Sequence, residues 1–413
     1  MDMKKYVTDI NNKIYFEEQE VNDVKDIDEE IKVYKSKQIS FFSGMGGALT
    51  PSSTINYTLL DIYNKHRLIQ AYFKDLNYKY IRLPIGSCDF SKEEYDYYKP
   101  FGLNMEKDEI YISPLLNDIK KEYDLNYLAA PWSPPAIWKW PLINRLRRLC
   151  YGRYARYLIK YLKYYKEQGI NIDFLSIQNE PRAYQKWESC VWSYRAQKTF
   201  IEKYMIPLLN KNNLSTTIML YDHNKDDMLK QIDKLYIDNN KVSSVGFHWY
   251  TGSHFDEVQK VHDKYPNLLL IESEMSCGYS PYKETEWIKD AELYANEIIG
   301  NINHGMNIFI DWNLLLDDKG GPNHKDNFVK APIIRKKKEI ILTPIYHYLK
   351  HISYHSEKMV LGTIYNKLKV VTSKDGNNYI ITILNNTNED ISFDIKGMVK
   401  DKINKHSIIT YYI

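Results

Sequence analysis

The stretch that decides the fold is Phe174-Leu175-Ser176-Ile177-Gln178-Asn179-Glu180-Pro181, in which a mostly apolar run ends in polar groups and a carboxylate. A short apolar run of this kind predicts a buried strand. A second run, Leu268-Leu269-Leu270-Ile271, leads into Glu272-Ser273-Glu274. Parallel α/β barrels carry their catalytic groups at the carboxyl ends of the strands. We therefore expect both runs to be strands of one barrel whose acidic ends share a pocket.

Outward from these two runs, the chain alternates strand-like and helix-like segments. Residues 154–165 and 287–298 repeat apolar side chains at helical spacing. The strand-like runs number eight, at 39–42, 80–84, 127–130, 174–177, 216–220, 245–248, 268–271 and 306–310. The glycine-rich segment Ser43-Gly44-Met45-Gly46-Gly47 is expected to form a tight turn, because it lacks the Gly-Lys-Ser/Thr ending of a phosphate loop. Eight strands alternating with helices predict an α/β fold, a (β/α)₈ TIM barrel.

The carboxyl-terminal region has a different pattern. Runs at 367–373 and 379–384 flank Asp375-Gly376, which predicts a β-hairpin, and 391–395 and 407–413 add further strands. The first thirty-odd residues show no helical pattern, and 31–34 can supply a strand to the same unit. We expect a small antiparallel β-sandwich formed by the C-terminus and part of the N-terminus, with boundaries at 1–38, 39–345 and 346–413.

Composition narrows the class of protein. Of 413 residues 26% are charged and 44% hydrophobic, and the net charge of +3 implies neither a nucleic-acid nor an anionic-membrane partner. No apolar stretch reaches the length of a signal peptide or a membrane span, so a cytoplasmic protein without an integral membrane segment is expected. The four cysteines form no CxxC pair, and HExxH and EF-hand motifs are absent from the sequence. We predict no metal and no cofactor; the oligomeric state is left open.

Glu180 is the first candidate catalytic residue. The preceding Asn179 can hydrogen-bond a sugar 2-hydroxyl, and Pro181 restricts the backbone as the chain leaves the strand. The alternative is a surface glutamate at a strand–helix junction.

The second candidate lies in Glu272-Ser273-Glu274. In an ideal strand Glu272 and Glu274 point to the same side, so periodicity does not choose between them. Glu274 is preferred because it lies nearer the carboxyl end. Two such carboxylates are the minimum that cleavage of a glycosidic bond with retention requires.

Other strand ends carry side chains suited to sugars. Indole faces pack on sugar C–H surfaces, and carboxylates accept hydrogen bonds from vicinal hydroxyls. In Phe247-His248-Trp249-Tyr250, Tyr250 can hydrogen-bond a nucleophile and His248 can orient it; buried core residues are the alternative. The remaining candidates at strand ends are Arg82, Asp89, Trp132, Asp311 and Trp312.

Taken together these motifs resemble glycoside hydrolase family 30, the family of glucosylceramidase. The resemblance runs in order over roughly residues 40 to 350. Its matching stretches are residues 42–48, 80–91, 130–135, Gln178-Asn179-Glu180-Pro181, His248-Trp249-Tyr250, Ser273-Glu274, 311–314, 320–323, Asn327-Phe328 and 332–334.

The resemblance implies a barrel joined to a β-sandwich and a retaining, exo-acting β-glycosidase acting on a small glycoside or glycolipid. It implies Glu180 as acid/base and Glu274 as nucleophile, and so settles the choice against Glu272. Sugar contacts would come from Asp89, Trp132, Asn179, Tyr250, Trp312 and Asn327, with Arg82, His248 and Asp311 as supporting residues. Such an enzyme needs its carboxyls about 5–5.5 Å apart. Glu180 must start protonated, which the neighbouring Glu274 carboxylate is expected to favour.

The sequence departs from the family at Glu272, a charged residue where the family's strand is usually small or apolar, and in loops that are shorter than the family's. Because loops around the pocket select the leaving group, ceramide is not implied. A β-xylosidase, β-fucosidase or β-1,6-glucanase, or a non-catalytic sugar-binding protein, are the alternatives.

Overall fold

The computed structural model describes residues 3–22, 24–140, 143–278 and 284–413, and its centre is a closed barrel of eight parallel strands. In chain order these barrel strands 1 to 8 are Gly44–Ala48, Tyr80–Ile85, Asn126–Pro131, Ile172–Ser176, Thr217–Asn224, Val242–His248, Leu269–Met275 and Ile308–Asp311. Strand 8 pairs with strand 1 and closes the ring. The predicted TIM barrel is confirmed.

Barrel strand 1 differs from the prediction. The run 39–42 is the end of the long strand Glu29–Phe42, which belongs to another sheet, and the glycine-rich segment predicted as a turn is strand 1 itself. A Cβ on Gly46 would lie 2.2 Å from the Tyr80 carbonyl oxygen on strand 2. Glycine is therefore present for close strand approach and not for a turn.

Helices surround the barrel. Between strands 3 and 4 the residues at helical spacing form Tyr151–Glu167, and between strands 7 and 8 they form Glu284–Asn303, as predicted. The other α-helices are Pro51–Thr58, Ile62–Ile69, Glu106–Tyr111, Ser113–Lys120, Tyr194–Phe200, Ile206–Lys211, Met228–Leu235, Phe255–Lys264 and Pro344–Ser353, with π-helical turns at Gln70–Asp75 and Ile201–Met205. No helix within the described ranges combines the length and the apolar character that crossing a bilayer requires.

The second unit is a nine-stranded, almost entirely antiparallel sheet formed by both chain ends. Its strands are Lys4–Asp9, Ile14–Glu18, Glu29–Phe42, Lys358–Ile364, Lys369–Asp375, Asn378–Asn385, Ile391–Ile395, Val399–Ile403 and Ser407–Tyr412. The predicted hairpin pairs Asp375 with Asn378 around Gly376, whose φ of +60° is the left-handed conformation that glycine tolerates. Ile31 of the long strand packs with Ile383 and Phe393 in a separate hydrophobic core. The two chain ends therefore fold together as one β-unit beside the barrel.

Three short hairpin-like pairings lie in the loops. Two are hairpins, Tyr98–Lys99 with Gly102–Leu103 and Lys139–Trp140 with Arg145–Leu146. The third is a small sheet in which Ile333–Lys336 lies between Leu316–Asp317 and Glu339–Leu342. Leu128, Met219, Ile271 and Ile308 form an apolar cluster from four barrel strands, and each precedes the carboxyl end of its strand. This cluster therefore closes the barrel beneath the strand ends.

Candidate active site

A cavity of about 450 Å³ opens at the carboxyl ends of the barrel strands. Its volume falls in the range of about 300–1,000 Å³ usual for small-molecule sites. Both candidate glutamates and all six predicted sugar-contact residues line it, namely Glu180, Glu274, Asp89, Trp132, Asn179, Tyr250, Trp312 and Asn327. The structure thus brings together side chains from strand ends that are far apart in the sequence.

Backbone hydrogen bonds to both neighbouring strand ends hold Glu180 in place. The Asn179 N–H donates to the Pro131 carbonyl (2.8 Å) and the Glu180 N–H to the Asp222 carbonyl (2.9 Å). Glu180 itself has a φ of +46°, a left-handed conformation that a glutamate rarely adopts. Strain of this kind is concentrated at functional sites, where surrounding contacts maintain it.

A β-bulge separates Glu272 from Glu274. Phe247 of strand 6 pairs with Glu272, but the next residue, His248, pairs with Glu274, so strand 7 carries one extra residue. Because of the bulge, Glu274 lines the cavity, whereas Glu272 points to helix Glu284–Asn303 and accepts a hydrogen bond from Asn301 (2.9 Å). The ideal alternation that would place both carboxylates on one side does not hold here.

Two donors hold the Glu274 carboxylate. Arg82 Nη1 donates to Oε2 (2.6 Å), and the Tyr250 hydroxyl donates to Oε1 (2.9 Å). Both oxygens are therefore oriented, and charge-assisted bonds of this type are the strong ones. Tyr250 is 41% exposed as a residue, but desolvation where its hydroxyl meets the protein, and then the negative charge of Glu274, raise the pKa of Tyr250 well above its usual value, so Tyr250 remains a proton donor.

Asp222 is a central residue that the sequence analysis missed. It is fully buried and accepts from Arg82 Nη2 (3.2 Å) and from the Ser273 hydroxyl (2.6 Å). Burial favours its neutral form, but the Arg82 and His248 charges more than offset this and hold the pKa of Asp222 well below its usual range. The signal was available, because Asp222 follows the apolar run of strand 5 in the same way as Glu180 follows strand 4.

His248 connects Asp222 to Glu180. Its Nε2 lies 3.1 Å from Asp222 Oδ1, and its Nδ1 lies 3.5 Å from Glu180 Oε1. Burial lowers the pKa of His248, but Glu274, Asp222 and Glu180 together raise it to about 10. The imidazole is therefore charged at neutral pH.

The charged His248 changes the expected protonation of Glu180. Burial raises the pKa of Glu180, yet the contact with His248, aided by Gln185 Nε2 donating to Oε2 (3.2 Å), leaves that pKa below its usual value. The expectation that Glu180 is protonated in the free protein was therefore wrong. The cation beside it outweighs the effect expected from Glu274, and the proton resides on the imidazole.

Two stacked indoles form one wall of the cavity. Trp132 and Trp312 lie 5.2 Å apart at 17°, and the Arg82 guanidinium sits over both rings, at 5.0 and 5.7 Å. Beside them Asn327 donates to Asp89 Oδ2 (2.6 Å). Burial, followed by the Glu274 charge, raises the pKa of Asp89 well above its usual value. This buried end of the cavity combines flat apolar surface with hydroxyl-binding groups.

Asp311, like Arg82 and His248, does not line the cavity, and it contacts a surrounding helix instead of either candidate glutamate. Its Oδ1 accepts from Tyr294 on helix Glu284–Asn303 (2.9 Å), and burial raises its pKa well above its usual value. Residues around the mouth that sequence reasoning did not select are Gln185, Trp187, Asn224, Trp249 and Phe328. All but Asn224, the last residue of strand 5, lie in loops, where neither periodicity nor strand ends mark a position. Among the described residues no cluster of His, Cys, Asp or Glu is arranged to hold a metal ion.

Two carboxylates in an aromatic-walled cavity, at the carboxyl ends of a closed parallel barrel, are the groups that cleavage of a glycosidic bond requires. The profile of the glycosyl hydrolase family 30 TIM-barrel domain matches residues 42–356. The chain belongs to this family of glycoside hydrolases.

Three relatives illustrate the range of the family around this chain. A Caenorhabditis elegans protein provisionally named glucosylceramidase 3 is 30% identical over 78% of this chain and 68% of its own length. The endo-1,6-β-D-glucanase of Neurospora crassa is 25% identical over 68% and 62%, respectively. The crystal structure of SrfJ from Salmonella typhimurium superposes with a TM-score of 0.93 at 26% identity, covering 100% of this chain and 99% of that one.

Proposed function

We propose that this protein is a retaining, exo-acting β-glycosidase that removes a terminal β-glucosyl-type residue, in the manner of a glucosylceramidase. The observation that carries the proposal is that Glu180 and Glu274 line one cavity while Glu274 is held by Arg82 and Tyr250. A nucleophile needs a fixed, ionised carboxylate, and these two donors supply that environment.

In the first step Glu274 attacks the anomeric carbon while the departing oxygen takes a proton from Glu180. The proton must reach Glu180 from His248, 3.5 Å away, when the sugar enters and water leaves the cavity. The product of this step is a covalent glycosyl-enzyme.

In the second step water attacks the anomeric carbon and Glu180 acts as base. Esterified Glu274 no longer carries the negative charge that raises the pKa of His248. The His248–Glu180 pair then holds a proton less tightly. The cycle ends when the bond between the sugar and Glu274 is hydrolysed and Glu274 is again a carboxylate.

The buried end of the cavity supports exo action. Trp132 and Trp312 are each 2% exposed and Asp89 4%, so these side chains are shielded from solvent at this end of the cavity, as binding of a terminal sugar would require. The leaving group would extend towards Trp187, Trp249 and Phe328 at the mouth. Hydroxyls of the enclosed sugar would bond Asp89, Asn179 and Asn327.

A second candidate activity is β-1,6-glucanase, which the name of the Neurospora relative favours. The same two glutamates would act, and the difference would lie in how the mouth accommodates a glucan. β-Xylosidase and β-fucosidase remain alternatives within the same cavity.

A mechanism-based label tests the proposal. A 2-deoxy-2-fluoro-β-glucoside should inactivate the protein and leave its adduct on Glu274, located by peptide mass spectrometry. Aryl β-glucosides, β-xylosides and β-fucosides, glucosylceramide and linear β-1,6-glucan then rank the substrates. An adduct on another residue, or inverted product configuration, would overturn the mechanism.

A further inference from the structure

A strong local charge imbalance lies in the loop and helix that follow barrel strand 3. Between Asp124 and Glu167 the sequence has nine Lys or Arg residues and no Asp or Glu, although the whole chain carries only +3. The basic residues are Lys139, Arg145, Arg147, Arg148, Arg153, Arg156, Lys160, Lys163 and Lys166. Such clustering on an otherwise near-neutral protein indicates a surface for a negatively charged partner.

Part of this cluster forms no ion pair among the described residues. Arg148, Arg153 and Arg156 are exposed, and no ion pair involves them within the described residues. Lys160 and Lys163 instead share a groove with Glu106, Glu109 and Glu167. The uncompensated charge is therefore concentrated at the amino-terminal end of helix Tyr151–Glu167.

Large apolar side chains that are exposed to solvent lie among these arginines. Phe101 is 99% exposed and Leu149 is 97% exposed, and Trp140 is more than half exposed. Single exposed apolar residues are ordinary, but several fully exposed ones within one basic region mark a binding surface.

Contacts join these residues into one surface. The hairpin Tyr98–Leu103, with Phe101 at its tip, packs through Tyr98 against the Trp138 ring (4.9 Å), and Trp138 in turn contacts Tyr157 of the helix (5.7 Å). A groove between the hairpin and the helix is lined by Lys99, Arg153 and Arg156. Asp96 lies at the root of the hairpin, where it accepts from the Tyr98 N–H (2.7 Å). We call Lys99, Phe101, Trp140, Arg148, Leu149, Arg153 and Arg156 the basic-apolar face.

This face lies at the same end of the barrel as the cavity. The hairpin belongs to the loop after strand 2, and residues 132–140 and 143–150 belong to the loop after strand 3, which begins with the cavity residue Trp132. The basic-apolar face and the mouth of the cavity therefore lie at one end of the barrel.

We infer that the basic-apolar face docks the protein peripherally on an anionic lipid bilayer, with the cavity mouth directed at the membrane. Basic side chains contact the acidic headgroups, while Phe101, Trp140 and Leu149 enter the interfacial region. Nucleic acid would use the arginines but would not need an exposed leucine and a phenylalanine at a hairpin tip. The inference deepens the proposed function and rests on it for the glycolipid that the membrane would present.

Vesicle co-sedimentation tests the inference without any catalytic step. The protein should bind mixed phosphatidylcholine–phosphatidylglycerol vesicles, less so at high salt, and bind phosphatidylcholine alone weakly. Each basic side chain near such a surface is worth about five-fold in partitioning. Arg148→Gln/Arg153→Gln/Arg156→Gln should therefore lower binding at least about ten-fold, and Phe101→Ser/Leu149→Ser should also lower it.

A matched control removes the same charge elsewhere. Lys336→Gln/Lys337→Gln/Lys338→Gln alters exposed lysines on the hairpin Ile333–Leu342 and should bind vesicles like the wild type. Hydrolysis of a soluble aryl glycoside should be unchanged in all these variants, which shows that they fold.

Three results would overturn the inference: no binding of the wild type to anionic vesicles, equal loss in the control, or normal vesicle binding by Phe101→Ser/Leu149→Ser together with tight binding of a single-stranded oligonucleotide. Failure of the proposed function would look different. The wild type would then bind vesicles but hydrolyse no glycoside.

Discussion

His248 Nδ1 lies 3.5 Å from Glu180 Oε1, in the interior of the barrel end, and this pair holds the proton that the proposed acid step needs. The imidazole is completely buried, and its other nitrogen faces Asp222 (3.1 Å). A carboxylate and an imidazole at this distance titrate as a unit. The protonation of Glu180 therefore depends on His248 as well as on the burial of Glu180 itself.

The first prediction concerns this pair. His248→Gln removes the cation that lowers the pKa of Glu180, and the burial that raises it remains. The pKa of Glu180 should rise. In the wild type the alkaline limb of kcat/KM is where the His248–Glu180 pair loses its proton, near the His248 pKa of about 10. In the variant Glu180 must hold that proton alone, so the limb should move to lower pH.

The measurement is a pH profile with an aryl glycoside that has a poor leaving group. A dinitrophenyl glycoside, whose leaving group needs no proton, is the control and its alkaline limb should not move. A limb that stays in place or moves to higher pH for the poor leaving group would contradict the coupling.

The second prediction concerns the two neighbouring glutamates. Glu274→Gln should lower kcat by more than about a thousand-fold, because no nucleophile remains. Glu272→Gln is the matched control, two residues away and directed at Asn301 instead of the cavity, and it should retain activity. Wild-type rates in Glu274→Gln would end the assignment of the nucleophile.

The third prediction concerns the acid/base residue. In Glu180→Ala a dinitrophenyl glycoside should still form the glycosyl-enzyme, because its leaving group departs unprotonated, but hydrolysis of the intermediate should be slow. Azide fits the space left by the carboxylate and should restore turnover by giving the glycosyl azide of retained configuration. A variant that azide does not accelerate on any substrate would assign the role to another residue.

Much of the fold followed from periodicity. Barrel strands 2 to 8 were recognisable because their runs are apolar and bounded by helical patterns. Strand 1 was not recognisable from the sequence. Its Gly46 allows close contact with Tyr80, but a glycine-rich segment predicts a turn when the neighbouring strand is unknown. Long-range pairing, not local sequence, makes Gly44–Ala48 a strand.

The candidate site was partly predictable in the same sense. Strand ends located the residues that line the cavity, but alternation failed at Glu272 and Glu274, since a bulge depends on the register with strand 6. The protonation state of Glu180 could also not be predicted without the three-dimensional structure. His248 and Glu180 are far apart in sequence, and only the barrel places the imidazole against the carboxylate.

The last prediction concerns stability, and it comes from Glu272. This carboxyl is completely buried near the ion pair of Lys225 and Glu297, and burial, with the Glu297 charge added, raises its pKa from 4.5 to about 8. Because the pKa of Glu272 is higher in the folded protein than in the unfolded chain, its contribution to stability is fully present at pH values below the unfolded-state pKa. That contribution is lost as the pH rises from about 4.5 to about 8, with a slope of at most about 1.4 kcal/mol per pH unit.

Glu272→Gln mimics the protonated carboxyl at every pH, so the melting temperatures of variant and wild type should agree at the acidic end. Towards pH 8 the melting temperature of the wild type should fall below that of the variant. Glu389→Gln, at a side chain that is 77% exposed, is the control and should track the wild type throughout. Parallel curves for Glu272→Gln and the wild type, measured by differential scanning calorimetry, would mean that Glu272 keeps its charge inside the protein through the Lys225 cation.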